Sequence, residues 1–174
     1  REAINTLMQK QVDGLIVVPS TAAVHDHLSP ASRRNIPLVV IDRMVPGVNA
    51  TSITTNDFES CDASVKEAVA KGHKNLSFLI ATSTIEGFDS EKPVLRNTTI
   101  EDRVNGFMNG VIDTKAKKAQ WIFCSENPQT AEDAVNHLLD SKNPPSVIFT
   151  SNNDMALAVL KVAGKRGLTL GQDI

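Results

Sequence analysis

Short apolar runs alternate with amphipathic segments along nearly the whole chain, and this alternation restricts the fold more than any other feature. Residues 15–18 and 38–41 are continuous, β-favouring apolar runs, as expected for strands buried on both faces of a parallel sheet. The segments between such runs place apolar residues at helical spacing. The pattern therefore predicts an α/β fold in which helices cover a parallel sheet.

The clearest strand–helix unit lies at residues 146–167. Its apolar run, residues 147–149, predicts a strand, and residues 152–166 have the spacing of a helix with a buried face. A polar joint, Ser151-Asn152-Asn153-Asp154, connects the two. Ligands of parallel α/β sheets collect at the carboxyl ends of strands, where the next helix offers free N–H donors. The joint is therefore a candidate part of a binding site.

Composition and charge exclude several classes of protein. The chain has 174 residues, 41% of them hydrophobic, which is enough for a packed core, and a net charge of −2 without a basic stripe that would hold nucleic acid. Cys61 and Cys124 lie inside apolar segments and are predicted to be buried thiols. No signal-peptide pattern and no membrane-spanning run occurs, which favours the cytoplasm. We expect no metal and no cofactor.

The motifs that mark common enzyme sites are absent from the sequence. There is no G-x-S-x-G, no G-x-x-x-x-G-K-[ST], no G-x-G-x-x-G and no H-E-x-x-H. His25 and His27 are two residues apart, which points them to different sides of a short predicted helix, so we assign them to the surface. The sequence therefore indicates a binding protein rather than an enzyme.

Several polar side chains instead stand at predicted strand ends and helix starts. Amide, carboxylate and guanidinium groups each offer two polar atoms in a plane, which suits the neighbouring hydroxyls of a polyol. Each residue also has a purely structural interpretation, as a helix cap, a local ion pair or an exposed charge. The candidate ligand-binding residues are Asp42, Arg43, Arg103, Asn153 and Asp154.

Five stretches, taken together and in order, resemble the effector-binding core of the lactose/galactose-repressor (LacI/GalR) family of bacterial transcription regulators, which is similar to the periplasmic sugar-binding proteins. The resemblance covers essentially the whole chain. The stretches are VDGLIVVPS, NIPLVVIDR, AKGHKNLSFLIA, EDRVNGF and SNNDMALAVLKVAGKRGLTLGQDI.

The resemblance implies two Rossmann-like lobes with parallel sheets, and we place the boundary at Gly72, giving residues 1–72 and 73–174. It implies a small-molecule effector, a sugar or related polyol with a nucleobase as the alternative, and a homodimer. It also implies operator DNA bound through a helix-turn-helix that precedes Arg1. By the same resemblance, further elements follow Ile174, so both lobes are expected to be incomplete within this chain.

The resemblance also assigns roles to the candidate residues. Asp42 falls on an effector-contacting acidic position at a strand end, with Arg43 beside it. Arg103 falls on the arginine of an R-x-x-G-F/Y motif that reaches sugar hydroxyls. Asn153 falls on an effector-contacting amide and Asp154 on a helix-capping carboxylate.

The sequence departs from the family pattern in two places. The stacking aromatic expected after residues 121–124 is replaced near Glu126 and Asn127, and the loop at residues 82–97 is longer than usual. An altered ligand, or a loop that serves as a lid or a partner site, would account for these differences.

Two alternatives from other classes stay open at this point. One is a periplasmic or lipid-anchored solute-binding protein that feeds a transporter, which a signal peptide would identify. The other is an α/β enzyme, which would need a nucleophile or a base facing Arg103 and Asn153.

Overall fold

The computed structural model describes residues 2–19, 28, 36–82, 98–125 and 127–174. The short helix expected at residues 22–28, with His25 and His27, and the loop expected at residues 82–97 lie outside the described residues, apart from Leu28 and Thr82. The chain forms two compact units. The first takes in Arg1–Asn56 and Arg96–Glu101, and the second takes in Asp57–Leu95 and Asp102–Ile174.

The first unit contains a parallel sheet of three strands in the order β1-β2-β3. Leu15 pairs with Leu38, and Val39 with Thr51. One face is covered by the first helix, whose Ile4 is buried against the strands. The elements are α1 (Glu2–Gln9), β1 (Leu15–Val17), β2 (Leu38–Ile41) and β3 (Thr51–Ile53).

The second unit contains a second parallel three-stranded sheet, in the order β5-β4-β6. Together the two sheets confirm the predicted α/β class. The first turn of α3, up to Glu101, belongs to the first unit and the rest of that helix to the second. The elements are α2 (Asp57–Ala70), β4 (Asn75–Ala81), α3 (Thr98–Thr114), β5 (Lys118–Cys124), α4 (Pro128–Leu139), β6 (Val147–Thr150) and α5 (Asn153–Lys165).

Helices pack on both faces of this second sheet. On one face, Leu79 and Ala81 of β4 belong to the apolar cluster formed with α4 and α5. On the other face, the ring of Phe107 in α3 lies 5.1 Å from the ring of Phe78 and 5.3 Å from that of Phe149. Trp121 of β5 pairs in register with Phe78 but is 42% exposed. Burial on both faces explains why β4 has a continuous apolar sequence.

Helix α3 approaches helix α2 so closely that only glycine fits at two positions. A Cβ at Gly110 would lie 2.7 Å from the Cβ of Val65, and a Cβ at Gly106 would overlap the carbonyl oxygen of Phe58. This packing joins α2 to the second unit. The compact units divide between Asn56 and Asp57 at this point of the chain, and the lobe boundary at Gly72 stays a prediction.

The helix ends follow local chemistry. Asn127 caps α4 by accepting a hydrogen bond from the backbone N–H of Gln129 at 3.0 Å, and Pro128 occupies the first turn. Proline is favoured at this position because the backbone N–H groups of the first helical turn have no partner within the helix. Gly72 ends α2 with a φ of +96°, the left-handed backbone that glycine commonly supplies at a helix end. Among the described residues, no helix has the length and apolar character needed to cross a membrane.

Candidate functional site

In the first unit, Asp42 directly follows β2 and adopts a left-handed backbone with a φ of +76°. Its N–H donates to the carbonyl of Ile53 at 2.9 Å, and its own carbonyl accepts from the Thr99 hydroxyl at 2.9 Å. Aspartate tolerates this backbone better than most residues do. The two bonds hold the strand end in a fixed position.

Arg43 lies beside Asp42 and pairs with it. The guanidinium donates from Nε to Oδ2 of Asp42 at 3.1 Å and from Nη1 to the carbonyl of Pro19 at 2.7 Å. The Arg43 side chain is 19% exposed and that of Asp42 is 40% exposed. The structure thus brings the two predicted residues together as a local ion pair whose carboxylate still faces water.

In the second unit, Arg103 of α3 is held by two other elements. Its Nε donates to Oδ1 of Asp57, at the start of α2, at 2.8 Å, and its Nη1 donates to the carbonyl of Ser151, just after β6. The Arg103 side chain is 33% exposed, whereas Asp57 is only 9% exposed. Its Nη2 makes no hydrogen bond to any residue that the structure describes. Asp57 and Ser151 therefore fix the guanidinium of Arg103 through Nε and Nη1, and the donors of Nη2 stay available.

Ser151 connects the end of β6 to the end of β4. Its side chain is fully buried, and its hydroxyl accepts from the N–H of Ala81 at 2.8 Å. Its own N–H donates to the carbonyl of Leu79 at 2.9 Å, which leaves its carbonyl for Arg103. Asn152 then caps α5, with its side-chain oxygen 3.0 Å from the N–H of Met155.

The cap assignment inferred from the family resemblance is wrong. Asn152, not Asp154, caps α5, because a capping residue must be extended and Asn152 has a φ of −157° and a ψ of 179°. Asn153 and Asp154 are the first two residues of the helix, and both are exposed. Neither side chain has a hydrogen bond to the part of the chain that the structure describes. Asp154 also lies where the helix dipole favours a negative charge.

Sequence reasoning did not single out Asp57, and it named Ser151 and Asn152 only as members of the polar joint, not as residues with a role of their own. A carboxylate is common in the first turn of a helix, so Asp57 gave no sign of its ion pair with Arg103. Ser151 and Asn152 carry a usable signal, since both follow a strand directly and precede a helix.

The described residues contain no group of three His, Cys, Asp or Glu side chains that could hold a metal ion. Burial raises the pKa of both the Cys61 and the Cys124 thiol to about 11, so neither is a thiolate at neutral pH. The side chains brought together at the strand ends are hydrogen-bond donors and acceptors. This chemistry suits reversible binding of a polar ligand.

Comparison with known proteins identifies the domain. The profile of the family described as "Periplasmic binding protein domain" matches residues 1–174. The chain is 26% identical over 164 residues to the probable HTH-type transcriptional repressor ExuR of Bacillus subtilis, covering 93% of this chain and 46% of the relative. It is 28% identical over 171 residues to the HTH-type transcriptional repressor PurR of Proteus mirabilis, covering 97% and 47%. The chain thus spans about half the length of the curated relatives it matches.

Solved structures show the same fold. A probable LacI family transcriptional regulator from Corynebacterium glutamicum superposes with a TM-score of 0.82 at 20% identity, covering 99% of this chain and 61% of that one. A LacI family transcriptional regulator from Enterococcus faecium with bound ribose superposes with a TM-score of 0.78 at 17% identity, covering 99% and 60%. The chain therefore belongs to the periplasmic binding protein domain family, and its fold is the one that these LacI-family regulators adopt.

Proposed function

We propose that this chain is the effector-binding and dimerisation core of a ligand-responsive bacterial transcription regulator, a repressor that acts in the cytoplasm. The observation that carries the proposal is the match of the whole chain to a binding-protein domain whose curated relatives are named as repressors. Those names favour a regulator over a periplasmic solute-binding protein of a transport system, the alternative that shares the fold. An enzyme is disfavoured because the relatives are regulators.

The effector is proposed to be a sugar or related polyol, with a nucleobase as the alternative. Arg103 and Asn153 in the second unit, and Asp42 and Arg43 in the first, are proposed to contact it, with Asp154 contributing its exposed carboxylate. Arg103 is the strongest candidate because part of its guanidinium is fixed by Asp57 and Ser151. A fixed donor loses little side-chain entropy when a ligand hydroxyl binds to it.

Effector binding is proposed to change the affinity of the regulator for operator DNA. Such coupling requires the effector to bind unequally to the DNA-competent and DNA-incompetent conformations. The described units carry a helix-covered sheet each, and the chain has a net charge of −2, so the DNA contacts are assigned to a helix-turn-helix of the longer protein.

A homodimer is proposed on the basis of an apolar surface on α5. Leu157 and Leu160 lie one helical turn apart and are 60% and 51% exposed. Two exposed leucines on one helix face are a candidate contact for a second copy of the chain. Analytical ultracentrifugation of the protein and of the double variant Leu157→Lys/Leu160→Lys tests this: a dimer is expected for the parent and a monomer for the variant. A dimer in both would place the interface elsewhere.

The binding site is tested by isothermal titration calorimetry with a panel of pentoses, hexoses and purine bases. For the sugar that binds, we expect Arg103→Ala to lower the affinity by about tenfold or more and Asn153→Ala by less, because each removes a hydrogen bond to the ligand. Arg166→Ala is the matched control, because Arg166 lies at the C-terminal end of α5, away from Asn153, and pairs there with Asp140. If both site variants bind as tightly as the parent, the assigned site is wrong.

A further inference from the structure

The pairing of Arg103 with a buried carboxylate bears on the charge of the ligand that Arg103 can bind. Asp57 is more than nine-tenths buried and accepts a hydrogen bond from Nε of Arg103 at 2.8 Å. Burying a carboxylate is costly unless it is paired and hydrogen-bonded, and the guanidinium supplies that partner. The positive charge of Arg103 is therefore already matched before any ligand binds.

The second bond of Arg103 fixes the direction of the guanidinium. Nη1 donates to the carbonyl of Ser151, whose position is set by two hydrogen bonds to β4, one accepted by its hydroxyl and one donated by its N–H. The plane of the guanidinium is thus determined by α2 on one side and by the end of β6 on the other. Arg103 therefore offers the Nη2 donor in a fixed direction, and the net charge of the Arg103–Asp57 pair is small.

From this arrangement, and resting on the proposed function, we infer that Asp57 is a positioning and specificity-determining residue that selects a neutral, hydroxyl-bearing effector against an anionic one. A carboxylate or phosphate near Nη2 would meet the field of Asp57 as well as that of Arg103. It would lose its hydration without gaining a full opposite charge. A neutral hydroxyl loses far less hydration and accepts the same hydrogen bond.

The structural alternative is that Asp57 only stabilises the packing of α2 on α3. Both roles predict a less stable protein when Asp57 is removed, so stability alone does not separate them. They differ in the ratio of affinities for a neutral and an anionic ligand of the same shape. A packing residue changes both affinities in the same direction, whereas a charge-matching residue changes their ratio.

The test uses calorimetric titration of the protein with sugar pairs that differ only at C6: glucose with glucuronate, galactose with galacturonate, and mannose with mannuronate. We expect the parent to bind the hexose of its preferred pair about tenfold more tightly than the uronate. Asp57→Asn keeps the size of the side chain and an acceptor for Nε but removes the charge. It is expected to shift the ratio toward the uronate by about tenfold.

Two variants control the measurement. Glu67→Gln removes one negative charge from the same helix at an exposed position paired with Lys71, and it should leave the ratio unchanged. Asp57→Glu restores the charge and should return the ratio to the parent value. Circular dichroism checks that each variant is folded.

Each outcome decides the question. A parent that prefers the uronate overturns the inference, and this result does not depend on whether Asp57→Asn folds. An unchanged ratio in a folded Asp57→Asn, with the hexose still bound, overturns the role of Asp57 and leaves the proposed effector site standing. Binding of no sugar by the parent overturns the sugar effector itself, and the inference with it.

Discussion

Each unit carries an arginine beside the end of a strand, and the two arginines are held in different ways. Arg43 pairs with its sequence neighbour Asp42, whose side chain is 40% exposed. Arg103 pairs with Asp57, which lies 46 positions away in the sequence and is 9% exposed, and it also binds the carbonyl of Ser151. The first pair is a local feature of one strand end. The second ties together two helices and a strand.

The difference shows what each ion pair can do. A pair of sequence neighbours that faces water contributes little to stability, because water and salt screen it and no distant segments are joined. A pair with a buried member contributes mainly by making its own disruption costly. Mutations at the two sites should therefore affect stability very unequally, even though both arginines are proposed to contact the same effector.

The largest expected effect comes from Asp57→Ala. It leaves Arg103 without its carboxylate and removes an anchor between α2 and α3, so we expect the free energy of unfolding to fall by about 2 kcal/mol. This is below the usual cost of breaking a buried pair because Arg103 is partly exposed. Urea unfolding followed by circular dichroism measures it. A loss no larger than that for a variant of Asp42 would abolish the distinction between the sites.

Gly106→Ala tests whether Arg103 depends on the close packing of α3 on α2. A methyl group there would overlap the carbonyl of Phe58, so we expect a loss of about 1 to 2 kcal/mol in urea unfolding and a weaker sugar affinity. Gly164→Ala in α5 is the control, because beyond the adjacent residues and the backbone of α5 no atom of the described residues lies within 4 Å of the added Cβ. There a gain of about 0.5 kcal/mol is expected from helix propensity. Equal effects at the two glycines would contradict the packing argument.

Glu132 is a second buried carboxylate, and it shows what burial contributes without the backbone contact that Arg103 makes to Ser151. It is buried on α4 and accepts hydrogen bonds from Lys161 and Lys165, which hold the pKa of its carboxyl below the usual range. A lowered pKa means that this stabilisation is present above the unfolded value of about 4.3 and is lost as the pH falls through the folded value.

Urea unfolding of the parent and of Glu132→Gln between about pH 7 and about pH 3 measures this effect. The parent should be the more stable protein at neutral pH, and its advantage should shrink in acid. Both lysines are largely exposed, so the advantage is expected to be smaller than that at Asp57. An advantage that does not change with pH would show that the ion pairs are not its source.

The smallest effect is expected for Asp42→Asn. Asparagine also tolerates the left-handed backbone at this position, so only the exposed ion pair with Arg43 is lost. We expect a change of less than about 0.5 kcal/mol in the free energy of unfolding. The affinity for the effector should nevertheless fall, as calorimetry would show. A large loss of stability would mean that the two strand ends resemble each other more than their geometry indicates.

The sequence was sufficient for the class of fold and for most elements, because buried parallel strands and amphipathic helices leave periodic patterns. Residues 152–166 match a helix whose caps are Asn152 and Arg166. Local caps were harder: Asp154 was expected to cap this helix, but the capping residue is Asn152.

The contacts of the site could not be predicted from the sequence, because they join residues far apart in the chain. Arg103 was a candidate from its motif, but nothing local indicates that it meets Asp57 and Ser151. The pairing of Asp42 with Arg43 was foreseen as an alternative because adjacent residues need no tertiary information. The roles of all five candidates in effector binding stay predictions.

The exposed Trp121 has a practical consequence for all of these measurements. The chain contains one tryptophan and no tyrosine, so its fluorescence excited at long ultraviolet wavelengths originates from a single ring on β5. That ring belongs to the second unit, and the first unit is optically silent at those wavelengths. Emission during denaturation therefore reports one unit alone, whereas circular dichroism reports both. Comparing the two signals would show whether the halves of the chain melt together or separately.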